Sequence, residues 1–201
     1  MKLNKLLSYV LHPIIFPIVG TLLYFILLPK HTSKQLEITI IGLVFASTYI
    51  VPLLFLLTLK KSDVIKSYHL EDPHERKFPL MFFISISFLL STLIKKSQST
   101  IELSLFFYGM TIAMFIAYVL LYFRFKASLH MVGIGGLIGF FIFFSYEFEI
   151  NLLVLISILF ILAGVVAINR LKLKAHHLKE VYWGALIGLV SELGVYIFYN
   201  M

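Results

Sequence analysis

Residues 101–123 read IELSLFFYGMTIAMFIAYVLLYF, and Glu102 is the one charged residue in this stretch. A helix of about 20 apolar residues crosses the hydrocarbon core of a bilayer, so the stretch is long enough to span a membrane. Its apolar residues do not alternate with polar ones, as they would in a strand of a membrane β-barrel. The sequence therefore predicts a transmembrane helix here.

Six further apolar stretches predict the fold class, an all-α, polytopic membrane helix bundle of six or seven transmembrane helices. Of the 201 residues, 60% are hydrophobic and 13% are charged, whereas soluble domains have about 45–50% and about 25%. This composition excludes a water-soluble globule. Seven spans would use about 140 residues, so we expect residues 1–201 to form a single integral membrane domain. The predicted spans cover residues 6–28, 37–59, 78–94, 101–123, 129–146, 150–168 and 181–199.

Three of the predicted spans have unusual features. The spans 78–94 and 129–146 are short for a hydrocarbon core of about 30 Å, so we expect that either can be partly enclosed by the other helices. The first span contains Pro13 and Pro17, which we expect to be tolerated kinks.

Counting the crossings assigns the polar connectors to the two faces of the membrane. Residues 1–5, 60–77, 124–129 and 169–180 fall on one face, and they hold thirteen of the seventeen Lys and Arg residues. The rule that cytoplasmic loops are basic explains this bias. It does not explain why five of the seven histidines lie there too, and ionisable groups at the membrane edge are candidates for function. These five are His69, His74, His130, His176 and His177.

Residues 169–188, NRLKLKAHHLKEVYWGALIG, give the strongest indication of a site. If the helix begins before His176, Glu180 lies one turn further along the same face, within reach of the imidazole. The carboxylate would then fix the tautomer of the ring and leave the other nitrogen free to act as a nucleophile or base. Gly184 and Gly188 continue this face and would let a neighbouring helix approach closely. The alternative is a surface Glu–His pair beside a packing stripe.

Two other stretches carry polar groups on the same face. Residues 127–139, ASLHMVGIGGLIG, place Ser128 and His130 at the start of a glycine-rich helix. Ser128 can cap this helix, whose first backbone amides form an anion site, and we expect the glycines to pack helices closely. In residues 69–79, HLEDPHERKFP, the guanidinium of Arg76 matches the oxygens of a phosphate. The alternative for this last stretch is a solvated loop with a local ion pair.

In their order along the chain, these motifs resemble the signature of the type-2 phosphatidic acid phosphatase superfamily, membrane phosphatases related to bacterial acid phosphatases and vanadium haloperoxidases. The third motif of that signature runs Ser, Arg, five residues, His, three residues and Asp, and it is matched by Arg170, His176 and Glu180. The second motif, Pro, Ser, Gly and His, is matched by Ser128 and His130.

The first motif, Lys, six residues, Arg and Pro, is matched less fully. Arg76 is in register, while His69 stands at the lysine position and Lys77 at the proline position. In the second motif Leu129 stands where the family has glycine, the residue that lets the backbone approach a phosphate. The resemblance covers about residues 66–190, which we take as the motif-bearing core.

The resemblance implies a metal-independent hydrolase that acts on a lipid phosphate or diphosphate through a phosphohistidine. His176 would attack phosphorus, Glu180 would stabilise its imidazolium, and His130 would protonate the leaving oxygen and then activate water. No metal or cofactor is expected, and the expected partners are a lipid phosphate and the bilayer rather than nucleic acid. The residues implied to hold the phosphoryl oxygens are Arg76, Arg170, Ser128 and His69.

The resemblance and the charge bias differ on where the site faces. We expect an integral protein of an inner or plasma membrane. Members of the superfamily mostly present the site outside the cytoplasm, whereas the thirteen basic residues favour the cytoplasmic side for the same face.

Two other functions fit the same residues. Leu129 in place of glycine suits a catalytically impaired membrane protein that binds or transports phospholipid through the same pocket. The clustered histidines suit a histidine-ligated membrane metalloenzyme, although the sequence has neither a cysteine nor an HExxH motif. The three functions remain open at the level of sequence.

Overall fold

The computed structural model describes residues 7–8, 10–65 and 73–201, apart from the side chains of residues 73 and 74. Across these residues the chain is helical, without strands. Six of the helices are long and apolar enough to cross a membrane, so the predicted polytopic all-α bundle is confirmed. The helices are α1 (Ile15–Leu27), α2 (Lys34–Lys61, with a π-helical turn at Ala46–Ile50), α3 (Pro73–Ile94), α4 (Ile101–Tyr122), α5 (Leu129–Glu147), α6 (Leu153–Lys172) and α7 (Leu178–Tyr199).

The prediction that residues 6–28 form one continuous helix is wrong. The chain turns at residues 11–14, and α1 begins at Ile15. The physical reason lies in Pro13, which has no amide hydrogen and disfavours a helical conformation at the preceding residue, His12. With its 13 residues, α1 is about 20 Å long, which is shorter than the hydrocarbon core.

The third span is longer than the sequence indicates, because α3 extends into the polar stretch before it. The helix has 22 residues and begins at Pro73, a residue type that favours the first turn of a helix. Arg76 is therefore half-buried near the start of a helix and does not belong to a solvated loop.

Helix α5 is the central helix of the bundle. In an apolar stretch of 18 residues of α5, 67% of the residues are buried, compared with 22% in the corresponding stretch of α6. The expectation that the short fifth span is enclosed by other helices is therefore confirmed. Helices α1, α4, α6 and α7 all pack against α5, which agrees with a sequence that is apolar on every face.

Glycines bring α5 and α7 into close contact. Gly135 and Gly139 of α5 lie against the backbone of α7, and Gly184 and Gly188 of α7 lie against the backbone of α5. A Cβ atom at Gly184 would lie 2.7 Å from the backbone oxygen of Ser128. The prediction that these glycines mediate helix packing is confirmed, since a larger side chain would push the two backbones apart. We call this contact the glycine seam.

Aromatic side chains fill the space between α1, α4, α5 and α7. Tyr196 of α7 stacks on Phe143 of α5 with 3.4 Å between ring centroids and 7° between ring planes. Large aromatic side chains bury much apolar surface and favour such geometries, so this core fixes the relative positions of the four helices. The fully buried aromatic residues are Tyr24, Phe106, Phe107, Phe140, Phe141, Phe144 and Tyr196.

The helix directions place the three sequence motifs at one end of the bundle. Helices α3, α5 and α7 begin at this end and α6 ends there. The backbone amide of Ser128 donates a hydrogen bond to the backbone oxygen of Glu180 at 3.0 Å, which ties the start of α5 to the start of α7.

Candidate functional site

His176 and Glu180 form the pair that the sequence predicts. His176 Nδ1 lies 3.0 Å from Glu180 Oε2, and the backbone amide of His177 donates to the same oxygen at 3.0 Å. The premise that the helix begins before His176 is wrong, because α7 begins at Leu178 with His177 as its N-cap residue. The contact arises instead because Glu180, in the first turn, reaches back over the helix start, as in a capping box.

The environment of His176 leaves one ring nitrogen available for chemistry. An ionised carboxylate can only accept hydrogen bonds, so Nδ1 carries the proton and Nε2 keeps its lone pair. His176 is 8% exposed. Burial and the nearby Arg76 guanidinium lower the pKa of His176, and the contact with Glu180 opposes this shift only in part. His176 is therefore neutral at neutral pH, which is the state that a nucleophile or base requires.

His130 lies close to His176 at the start of α5. Electrostatic interactions link the ring of His130 to His176 and to Arg170. A hydrogen bond to the backbone of Ser8 also holds the ring. His130 Nε2 is buried and has no hydrogen-bond partner among the described residues, so it is the nitrogen that is placed to exchange a proton with a ligand.

Both predicted arginines lie beside these histidines. Arg76 of α3 interacts electrostatically with His176 and Glu180. Arg170, near the end of α6, donates a hydrogen bond from Nη2 to Ser8 Oγ. Its Nε is buried and has no hydrogen-bond partner in the described part of the chain. Arg76 therefore interacts with His176, Arg170 interacts with His130, and the two imidazoles interact with each other.

The structure tests the predicted helix cap by Ser128, and it does not describe His69. Ser128 occupies the N-cap position of α5, but its side chain makes no cap hydrogen bond, so that prediction is wrong. Its hydroxyl group is instead buried without a hydrogen-bond partner among the described residues, because the start of α7 covers it. His69 lies outside the described residues, and so does the side chain of His74.

The segment that precedes α1 also contributes to the site, although none of the three sequence motifs includes it. The His12 and His130 rings meet edge to face with centroids 5.6 Å apart. Burial and the charge of Arg170 lower the pKa of His12 to about 4, so this ring is neutral at neutral pH. Ser8 Oγ accepts hydrogen bonds from Arg170 and from Asn169 Nδ2, the latter at 3.1 Å. The available signal was an ionisable side chain inside an apolar stretch, which is a candidate for function by itself.

A further cation, Lys126, also acts on the site. It lies just before α5 and is half-buried, and its charge interacts with His176. No position in the three motifs indicates this role. We name the assembled group the histidine cluster, and its members are His12, His130, His176, Glu180, Arg76 and Arg170.

The histidine cluster combines imidazoles and guanidiniums, which is the chemistry of an anion site. Among the described residues, no group of three or more His, Asp and Glu side chains is placed to hold a metal ion. Comparisons of the chain with protein-family models, characterised proteins and solved structures gave no match. A function must therefore be inferred from the geometry of the cluster.

Proposed function

We propose that the protein is a metal-independent lipid phosphate phosphatase that works through a phosphohistidine intermediate. One observation carries the proposal: His176 is buried, held on Nδ1 by the Glu180 carboxylate at 3.0 Å, and subject to the positive charges of Arg76 and Lys126. A neutral imidazole oriented in this way is a nucleophile, and the surrounding positive charge suits an anionic substrate.

In the first step, His176 Nε2 attacks phosphorus and the bond from phosphorus to the lipid oxygen breaks. The bound anionic phosphate favours the protonated form of His130. Nε2 of that ring, which has no hydrogen-bond partner among the described residues, gives its proton to the leaving oxygen. The attacking ring becomes cationic, and the Glu180 carboxylate stabilises that charge through Nδ1–H. The products of this step are the lipid alcohol and a phosphohistidine.

In the second step, water attacks the phosphohistidine. His130, now neutral, takes a proton from the water, the bond from phosphorus to nitrogen breaks, and inorganic phosphate leaves. His176 returns to its neutral form and His130 returns to its protonated form. The two imidazoles thus have separate roles, and the difference follows from their partners: a carboxylate for His176 and a backbone oxygen for His130.

The cationic side chains hold the phosphoryl group during both steps. Arg76 and Arg170 approach from α3 and α6, and a guanidinium fork matches two phosphoryl oxygens. Lys126 adds a third permanent charge that acts on His176. The resemblance places a lysine at position 69, and Lys126 is the cation that we assign to that role. His12 adds a neutral ring beside His130.

A lipid tail suits the place of the cluster in the membrane. The site lies at the helix ends, where a phosphate headgroup meets the hydrocarbon region. Tyr182 and Trp183, near the start of α7, are 60% and 51% exposed, and such aromatic side chains are typical of the membrane interface. We therefore infer a substrate whose phosphate or diphosphate reaches the cluster while its tail stays in the bilayer.

Phosphate release by the purified protein in lipid bilayers tests this function. We expect release from at least one member of a panel of lipid phosphates, with a chelator present, and we expect vanadate to block it. In His176→Ala the rate should fall by at least roughly a thousandfold, because the covalent route needs its nucleophile. His177→Ala is the matched control, since His177 is the exposed neighbour.

Three outcomes would overturn the proposal. Equal release by wild type and His176→Ala would remove the phosphohistidine. Loss of activity on chelation, with recovery on adding iron or zinc, would favour the metalloenzyme. Tight binding of a lipid phosphate without release would favour the binding or transport protein that Leu129 suggests.

A further inference from the structure

A carboxyl group lies inside the bundle, remote from the histidine cluster. Glu192 is in α7, about 18 Å beyond Glu180 along the helix. Its side chain is 0% exposed, and neither Oε1 nor Oε2 has a hydrogen-bond partner among the described residues. An ionisable group at this depth in a membrane helix is a candidate for function.

Glycines on the two neighbouring helices make room for this carboxyl group. A Cβ atom at Gly109 of α4 would collide with Glu192 Oε2, and one at Gly136 of α5 would lie 3.5 Å from Oε1. These glycines provide no charged or polar side chain to pair with a carboxylate. An unpaired charge in such surroundings is far less stable than the neutral group, so the site holds Glu192 as a carboxylic acid.

Polar side chains lead from Glu192 toward the face opposite the histidine cluster. Tyr196, one turn further along α7, interacts electrostatically with Glu192. Its hydroxyl group donates a hydrogen bond to the backbone oxygen of Glu102 at 3.2 Å. The carboxylate of Glu102 accepts a hydrogen bond from Tyr24 at 3.1 Å and pairs with Lys30 at 3.0 Å. This chain of polar groups ends at Lys30, whose side chain is 53% exposed.

A cavity of about 190 Å³ opens at the same end of the bundle. Its polar lining includes Lys30, Glu102, Glu147 and Asn200. Glu102 lines this cavity, and Tyr196 interacts with both Glu102 and Glu192.

We propose that Glu192 is an intramembrane proton-binding site, which exchanges its proton with water that enters from this cavity past the Tyr196 hydroxyl group. In the exchange the carboxylic O–H bond of Glu192 breaks and the proton passes to water, and the reverse step restores the acid. The proposal is independent of the proposed phosphatase, because none of these residues belongs to the histidine cluster. The titratable groups nearest to this route are Glu102, Glu147, Tyr24, Tyr196 and Lys30.

Infrared spectra of the protein in lipid bilayers test the protonation state. We expect a carboxylic acid C=O band at neutral pH that is lost in Glu192→Gln, whose side chain is nearly isosteric with the acid. The band should persist in Glu149→Gln, which changes an exposed carboxylate at the same end of the bundle. Absence of the band from the wild type, or its persistence in Glu192→Gln, would overturn the site.

A glycine variant keeps this test decisive if Glu192→Gln does not fold. Gly109→Ala places a Cβ atom against Glu192 Oε2, so the frequency of the acid band should shift. Gly164→Ala is the matched control, because an added Cβ atom meets nothing within 4 Å there. A band that is the same in both variants would show that it does not come from Glu192.

Exchange of the acid proton for deuterium tests the route. In D₂O we expect the band to shift more slowly in Tyr196→Phe than in the wild type, by about tenfold, because the polar step next to Glu192 is lost. Tyr182→Phe, an exposed tyrosine at the other end of the same helix, should exchange at the wild-type rate. Equal rates in the two variants would overturn the route through Tyr196.

Discussion

The two ends of the α5–α7 pair carry opposite chemistry on a shared scaffold. At the end where both helices begin, His130 and His176 lie among cationic side chains. At the end where both helices finish, Glu102 and Glu147 line a cavity with Lys30 as their counter-charge. The first end suits an anionic ligand, while the second suits a proton or another cation.

One packing contact, the glycine seam, positions both ends. The glycine seam runs between them, with Gly184 near the histidine cluster and Gly139 against Glu192 and Leu189. Because the helix backbones touch, small displacements at the seam move the side chains at each end. A variant that changes the chemistry of one end should therefore be distinguishable from a variant that changes the packing of both.

Among variants that keep the His176 imidazole, the largest effect is expected from Glu180→Gln, which removes the negative charge beside the His176 ring. We expect kcat/KM for phosphate release to fall by about a hundredfold or more, since general acid–base and orienting groups contribute factors of this size. Glu180→Asp, which carries the residue type of the superfamily signature, should retain most of the activity. Glu149→Gln, at the opposite end, should change kcat/KM little.

Glu180 also stabilises the start of α7, so stability must be measured alongside activity. Loss of a helix cap destabilises a protein by about 1 kcal/mol. If Glu180→Gln lowers the unfolding free energy by this amount but leaves kcat/KM unchanged, the residue has only a structural role and the comparison of the two ends fails.

Gly188→Ala is expected to loosen the glycine seam. Its Cβ atom would collide with the backbone oxygen of Val132, which cannot move aside as a flexible side chain can. We expect a loss of about 1–3 kcal/mol in unfolding free energy, as for other overpacked cores. Thermal unfolding in detergent–lipid mixtures measures it. Gly164→Ala on α6, where the added atom meets nothing within 4 Å, should be neutral or slightly stabilising, and equal losses in both variants would contradict the seam.

Arg76→Gln tests the electrostatics of the histidine cluster through pH. The positive charge of Arg76 helps to lower the pKa of His176, so removing it raises this pKa. The phosphatase needs neutral His176, and activity is lost as the pH falls through the pKa of that group. The acid limb of kcat/KM should therefore move to higher pH, by up to about one unit. Arg124→Gln, an exposed arginine at the same end, should leave the limb in place, and a limb that moves to lower pH would contradict this account.

Much of the fold and part of the cluster could be predicted from local sequence. Apolar length alone predicts the six long helices, because a helix that crosses the hydrocarbon core must be long and apolar. The contact between His176 and Glu180 was predicted even though the helix start was wrong, because a spacing of four residues fits both a helix face and a helix start. The packing role of the glycines also follows from short spacings.

The rest depends on contacts between segments that are distant in sequence. His12 joins the cluster, and Ser8 contacts its member Arg170, because the chain turns at Pro13. The local sequence of this turn does not indicate that it packs against α5 and α6. Lys126 could not be singled out from sequence, because the rule that cytoplasmic loops are basic explains its charge together with that of the other loop residues. Glu192 lies in the span 181–199, which its apolar residues identify as a membrane helix. The burial of Glu192 follows only from the glycines that face it on other helices.

Lys30→Ala is expected to give the smallest effect, because it changes an ion pair whose lysine is largely exposed. The Lys30 side chain is 53% exposed in its pair with Glu102, and its Nζ lies 4.9 Å from the centre of the Phe148 ring. Exposed ion pairs contribute about 0–1 kcal/mol, so the unfolding free energy should fall by less than about 1 kcal/mol. Added salt should reduce the difference from the wild type, since salt screens exposed charges. A loss of unfolding free energy as large as that of Gly188→Ala would contradict this expectation. It would mean that the end that carries Glu102 and Glu147, and not the glycine seam, stabilises the pairing of α5 and α7.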